Sequence, residues 1–229
     1  AQGFYDPWIE VYFDHLKKNG IRDEQMGIWM PFPEPQQDYW NNNQDPDDFA
    51  YSINRHLGLL RKYFPAAKTA ILLDSQVAQS EASQLVAYTR LIQSGLVDIV
   101  GLQGFPWHPG AGDERRPVIS ASQFAPAYML EEVAKSLDVK RVLINTGTYR
   151  HRIVPGGGDI IIPTAERRAT LQSIVYEATS LKQAGYEVMV NVFAENKLHA
   201  TERVNWSYWN DGIADNTTHA PLFTHFIKS

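Results

Sequence analysis

No cysteine occurs in the 229 residues. Disulfides, thiolate metal sites and cysteine nucleophiles are thereby excluded. The compartment stays open on that count, because secreted bacterial enzymes also do without cysteine. No lysine or arginine cluster stands out, and the formal net charge is −5. A nucleic-acid partner needs a basic stripe, so none is expected. No apolar run approaches the roughly 18 residues of a membrane span, and no membrane partner is expected. No signal peptide is recognisable, although a processed chain would have shed one. Internal repeats and low-complexity segments are missing too. No Gly-rich phosphate loop follows any apolar run, and Gly156-Gly-Gly158 reads as a flexible connection. No Gly-x-Ser-x-Gly elbow marks a serine hydrolase. His108, His151 and His199 fall in loop-like stretches without H-E-x-x-H spacing. Neither a metal nor another cofactor is called for, and a metal site would need convergence in the tertiary fold.

What is present suits a globular protein. Hydrophobic residues make up 44% of the chain, enough for one substantial core, so residues 1–229 are read as a single domain. Many aromatics stand beside loop-type residues, among them Trp40, Trp107, Trp206 and Trp209. Exposed rings stack on the apolar faces of sugars; ordinary core and rim packing is the plainer alternative. The sequons Asn205-Trp-Ser and Asn216-Thr-Thr are common by chance.

Helical and strand-like segments alternate. Helical spacing runs from Asp6 to Asn19, where Asn19-Gly20 ends it. Met26 to Pro33 reads as a buried strand entering a Pro-rich loop, and Pro46 to Tyr63 as a helix capped by Asp45. Thr69 to Asp74 is a short apolar strand buried on both faces. A helix from Ser80 to Gly95 leads to a strand from Val97 to Gln103. After a Pro/Gly-rich loop, a helix from Ser122 to Leu137 precedes the strand Arg141 to Asn145. His151 to Asp159 reads as a turn-rich loop, Thr164 to Gly185 as a long helix and Glu187 to Ala194 as a strand. The tail from Lys197 is polar and aromatic.

Strands separated by helices imply an α/β fold with a parallel sheet and right-handed crossovers. Polar residues gather at the strand ends: Glu34, Asp74, Gln103, Thr146 and Glu195. In a (β/α)8 TIM barrel such ends meet at one mouth, where active sites sit. A full barrel needs about 250 residues and eight strands. Five units supply about strands 4–8, so the expectation includes an N-terminal portion of the same barrel outside this chain.

Glu34, in Pro31-Phe-Pro-Glu-Pro35, directly follows a strand. A carboxyl among apolar neighbours is held protonated, as a general acid needs. A loop glutamate tied to an arginine or a backbone N–H is the plainer reading. Glu195 follows another strand, flanked by Asn191 and Asn196, and is either a second carboxylate or half of a salt bridge with Lys197 or Arg203. Asp74-Ser75 also suits a helix cap. Glycosidases place two carboxyl groups about 5–5.5 Å apart for retention and about 6.5–9.5 Å apart for inversion.

Four stretches then point to a family. They are Phe32-Pro-Glu34 with Tyr39-Trp40, Val97-Asp-Ile-Val-Gly-Leu-Gln-Gly-Phe105, Lys140-Arg-Val-Leu-Ile-Asn-Thr-Gly147, and Val192-Phe-Ala-Glu-Asn-Lys197 with Trp206 downstream. Together they resemble strands four, six, seven and eight of clan A glycoside hydrolases, most of all the mannanase-like enzymes of family 26. The resemblance implies that Glu34 is the acid/base and that the protein handles a β-linked polysaccharide or oligosaccharide. Gln103, Trp107, His108, Tyr149 and Trp209, with Asp74 and Thr146, would line the sugar site. The expected compartment is extracellular or periplasmic. Three departures stand against the pattern. Thr146 occupies the place of the nucleophile glutamate, Phe105 that of its orienting tyrosine, and Pro33 that of the histidine before the acid/base. Three explanations follow: Glu195 or Asp74 serves as second carboxylate, the barrel binds glycan without cutting it, or strand seven aligns differently.

Overall fold

A computed structural model describes residues 6–33, 35, 45–75, 82–104, 120–123, 125–147, 151–154, 158–161, 163–193, 198–199 and 204–205. The chain divides into two compact units, Ala1–Leu102 with Tyr128–Leu143, and Gln103–Ala127 with Ile144–Ser229.

In the first unit, α1 (Asp6–Lys18) leads through a 3₁₀ turn (Asp23–Met26) to the short strand β1 (Ile28–Trp29). Helix α2 (Pro46–Tyr63) begins as the sequence dictates. The Asp45 carboxylate accepts from the N–H groups of Asp47 at 2.8 Å and Asp48 at 3.2 Å, and Pro46 takes the first turn, where no N–H is needed. Phe49, Ala50, Ile53, Leu57 and Leu60 form its buried stripe. β2 (Lys68–Asp74) is buried at every position after Lys68, as a strand covered on both faces must be. β1 and β2 pair in parallel, with Ile28 opposite Lys68 and Trp29 opposite Thr69. α3 (Ala82–Ala87) precedes β3 (Ile99–Gln103). Gly101 leaves room for its neighbours, since a Cβ there would lie 2.7 Å from Leu72 Cδ1 and 3.3 Å from Leu143 Cβ.

A polar clasp locks the start of these strands. Asp98 accepts from the Thr69 N–H at 2.9 Å, the Thr69 hydroxyl at 3.1 Å and Arg61 Nη2 at 2.8 Å. Arg61 also donates to the carbonyls of Pro65 and Ala67. Burial pushes the Asp98 carboxyl upward, but the hydrogen bonds from Thr69 and the Arg61 charge prevail and hold it below its ordinary value.

α4 (Ala127–Leu137) and β4 (Arg141–Gly147) continue the alternation. β4 is followed by β5 (His151–Val154) and β6 (Gly158–Ile161), then α5 (Thr164–Gln183) and β7 (Glu187–Phe193). β8 (Leu198–His199) and β9 (Val204–Asn205) close the order. α5 buries Leu171, Ile174, Ala178 and Leu181 and ends at Gly185, whose φ of +92° lets the Tyr186 N–H return to the Leu181 carbonyl at 3.1 Å. Glu177 on α5 accepts the Ala127 N–H at 2.8 Å and so caps α4.

The parallel sheet has the order β1-β2-β3-β4-β7. A second, antiparallel sheet has the order β6-β5-β9-β8. This second sheet departs from the expected loop at His151 to Asp159, and it takes two short strands from the polar, aromatic tail. β5 and β6 pair from His151 opposite Ile161 to Val154 opposite Gly158, and β5 also pairs with β9. Ile153-Val154 and Ile160-Ile161 are β-branched runs on either side of a Pro-Gly-Gly connection, which is hairpin chemistry. His151 and His199 therefore lie on strands rather than in loops.

Two helices are shorter than their periodicity suggests. α3 stops at Ala87, and the chain proceeds through turns in which the Thr89 hydroxyl donates to the Val86 carbonyl at 2.9 Å. Such local bonds from a β-branched residue compete with helix continuation. The helix expected from Ser122 is a 3₁₀ turn at Ala121–Gln123 followed by α4, because Pro126 has no N–H to give and disfavours helix in its predecessor.

Candidate functional site

The end of β1 is built around an aromatic cluster. Phe13 of α1 is fully buried and meets the Trp29 ring edge-on at 5.3 Å. His56 of α2 stacks on Trp29 with centroids 5.9 Å apart and planes 25° apart. Trp29 Nε1 donates to His56 Nε2 at 2.8 Å. Phe13 and Phe32 approach the imidazole edge-on at 5.9 Å and 5.6 Å. Burial among these rings lowers the His56 pKa from 6.5 to about 4, so the ring is neutral near pH 7. An Nε2 that accepts requires its proton on Nδ1. Nothing in the sequence singled out His56, because a lone histidine on an apolar helix face carries no spacing signal.

Pro31 and Pro35, either side of the expected acid, are both buried. Glu34 itself lies outside the described residues, as do Phe105, Trp107, His108, Tyr149, Glu195 and Trp209. Asp74 ends β2 and is 5% exposed.

In the second unit, three amides line up near the ends of three strands. Asn191 of β7 donates through Nδ2 to Asn145 Oδ1 at 2.6 Å. Asn145 of β4 donates in turn through Nδ2 to Gln103 Oε1 at the end of β3. Gln103 and Asn145 are half-buried and Asn191 is exposed, so the row opens toward solvent. The sequence marks Gln103 as a polar strand-end residue, whereas Asn145 and Asn191 carry no such signal. Each amide holds a donor and an acceptor on one planar group, the chemistry that matches a sugar hydroxyl.

Thr146 is fully buried, and its hydroxyl donates to the Gly104 carbonyl at 2.6 Å. Successive residues of a strand face opposite sides, so Thr146 points away from the face that carries Asn145. Thr146, which the sequence resemblance would put at a nucleophile's place, instead ties β4 to the chain after β3. On the amide-bearing face of β4, the neighbouring position is an uncharged Asn145.

Among the described residues, no group of three or more His, Cys, Asp or Glu could hold a metal ion, and no helix is long and apolar enough to cross a membrane.

No protein-family model matches this sequence, and no curated protein does. Solved structures do match. A family 1 β-glucosidase from Thermotoga maritima superposes with a TM-score of 0.53 at 11% identity, covering 95% of this chain and 69% of that one. A β-glucosidase from the same organism in complex with noeuromycin gives 0.51 at 12% identity, and one in complex with methyl acetic acid-substituted glucoimidazole gives 0.52 at 12%, each with the same coverage. At such identities the likeness concerns the fold: a five-stranded parallel α/β sheet corresponding to part of a (β/α)8 barrel.

Proposed function

We propose that this protein is glycoside hydrolase-like and acts on a β-linked polysaccharide or oligosaccharide, with Glu34 as general acid/base. Glu195 is the second carboxylate, which stabilises the cationic transition state or activates water. Trp107, His108, Tyr149 and Trp209 line the sugar subsites beside Gln103. The family 26-like motifs and the barrel fold shared with β-glucosidases support this reading. The observation that carries it is the amide row Asn191–Asn145–Gln103, which presents paired donors and acceptors near the ends of adjacent strands, where barrel enzymes keep their sites. The protein works outside the cytoplasm, extracellular or periplasmic.

The test is the Glu34→Gln variant incubated with soluble β-mannan and assayed for new reducing ends. Loss of an acid/base lowers kcat by roughly 10²-fold or more. Unchanged turnover refutes the assignment.

A second reading, glycan binding without cleavage, is favoured by one observation: Thr146, at the place that the resemblance gives to the nucleophile, is a buried threonine bonded to the Gly104 carbonyl, and its neighbour on the amide-bearing face is the uncharged Asn145. On this reading the wild type releases no reducing ends, while Asn145→Ala weakens mannan binding in affinity electrophoresis by about tenfold, as loss of hydrogen bonds to an amide predicts. Unaltered retardation of Asn145→Ala removes the amide row from the site under either reading.

A further inference from the structure

Phe32 has a φ of +48°. That left-handed conformation is natural for glycine and rare for a bulky aromatic. It is disfavoured further because Pro33 follows, and a residue before proline is pushed toward extended backbone. The only other non-glycine with positive φ among the described residues is Asp138, whose short polar side chain tolerates it. Gly27, five residues earlier, takes a φ of +62° without such strain. A strained aromatic persists only where its surroundings hold it, and such outliers concentrate at functional sites.

The surroundings are identifiable. The Phe32 ring stands edge-on to His56 at 5.6 Å, with planes at 81°. His56 is held from the other side by the Trp29 indole, through the 2.8 Å bond to Nε2 and the stacked contact. Phe13 blocks a third direction. His56 Nδ1 is buried and has no hydrogen-bond partner among the described residues, so the ring is placed by one bond and three aromatic contacts. Its one acceptor bond comes from the strand residue three positions before Phe32.

We propose that His56 is a positioning residue: by accepting from Trp29 and bracing Phe32 it holds the strained Pro31–Pro33 turn that leads in sequence into Glu34. This rests on the reading of Glu34 as acid/base. The helix thus acts on the chemistry without touching substrate, through a histidine that joins the strand at Trp29 to the turn at Phe32.

The test compares His56→Phe and His56→Gln in the full chain, with two independent readouts. The first is backbone hydrogen exchange of the peptide spanning residues 28–35. The second is kcat and KM for reducing-end release from soluble β-mannan. His56→Phe keeps a ring but offers Trp29 no acceptor. Exchange over 28–35 should rise about tenfold, and kcat should fall about tenfold while KM stays within about twofold. Gln can accept from the indole through Oε1, so His56→Gln should recover most of both. Wild-type exchange over 28–35 in His56→Phe overturns the proposal. So does a rise shared equally by the α5 peptides, which would mark general loosening. So does full kcat in His56→Phe when Glu34→Gln has lost it. Loosened exchange over 28–35 with intact turnover in Glu34→Gln leaves His56 holding the turn and rejects Glu34 as the acid.

Discussion

Acid should destabilise this protein through one imidazole. In the folded state His56 stays neutral until about pH 4, because burial among Phe13, Trp29 and Phe32 opposes its charge. In the unfolded chain it takes up a proton near its ordinary value of 6.5. Between those two values the unfolded state binds more protons, so stability falls as pH drops from about 7 to about 4 and the loss is complete below that. At ~1.4 kcal/mol for each pH interval of one, the full penalty is about 3 kcal/mol. Against a typical domain stability of roughly 5–15 kcal/mol, that is a large share. The assay is urea unfolding followed by far-UV circular dichroism at several pH values, for the wild type and His56→Gln. The variant accepts from Trp29 but does not titrate, so its baseline stability is irrelevant and only the slope counts. Carboxylates such as Asp98 contribute equally to both proteins and cancel. Between pH 6.5 and 4 the wild-type curve should fall more steeply, by about one proton's worth. Parallel curves would mean that His56 titrates normally, and the buried aromatic seat described for it would be wrong.

Other perturbations follow from the packing. Asp98→Asn removes the charge that Arg61 and Thr69 share and should lower stability by about 2 kcal/mol in urea titrations at pH 7. Because the Asp98 carboxyl is held below its ordinary 3.8, its contribution is present above that value and is lost as pH falls through the depressed one, so the variant's acid-unfolding profile should be flatter below about pH 4. Gly101→Ala forces a Cβ to 2.7 Å from Leu72 Cδ1 and 3.3 Å from Leu143 Cβ, and should cost about 1–3 kcal/mol by the same measurement. A stable Gly101→Ala protein would mean that the sheet is looser there than the contacts indicate.

The alternation of helix and strand was legible in the chain because it rests on local chemistry. Asp45-Pro46 starts α2 wherever it is placed, since a carboxylate and a missing N–H satisfy a helix end without tertiary help. The apolar run into Asp74 can only be a doubly covered strand. Pro126 and Thr89 are equally visible, yet the apolar periodicity runs past both and hides where α4 starts and α3 stops. The hairpin of β5 and β6 carried its own signal in Ile153-Val154, Pro155-Gly-Gly157 and Ile160-Ile161. β8 and β9 had none, because strands of two residues hold only through the partners that three-dimensional pairing supplies.

Site residues divide the same way. Glu34, Asp74 and Gln103 announce themselves as polar groups closing apolar runs. Which side of β4 carries the amide row is another matter: moving one position along a strand exchanges Thr146 for Asn145 and reverses the face, and only the paired sheet decides which is buried. His56 depends wholly on the tertiary structure. Its neutrality and its hold on Phe32 arise from rings on α1, on β1 and in the turn beyond, up to 43 residues apart in sequence, and no local pattern can encode a desolvation that the folded neighbours create.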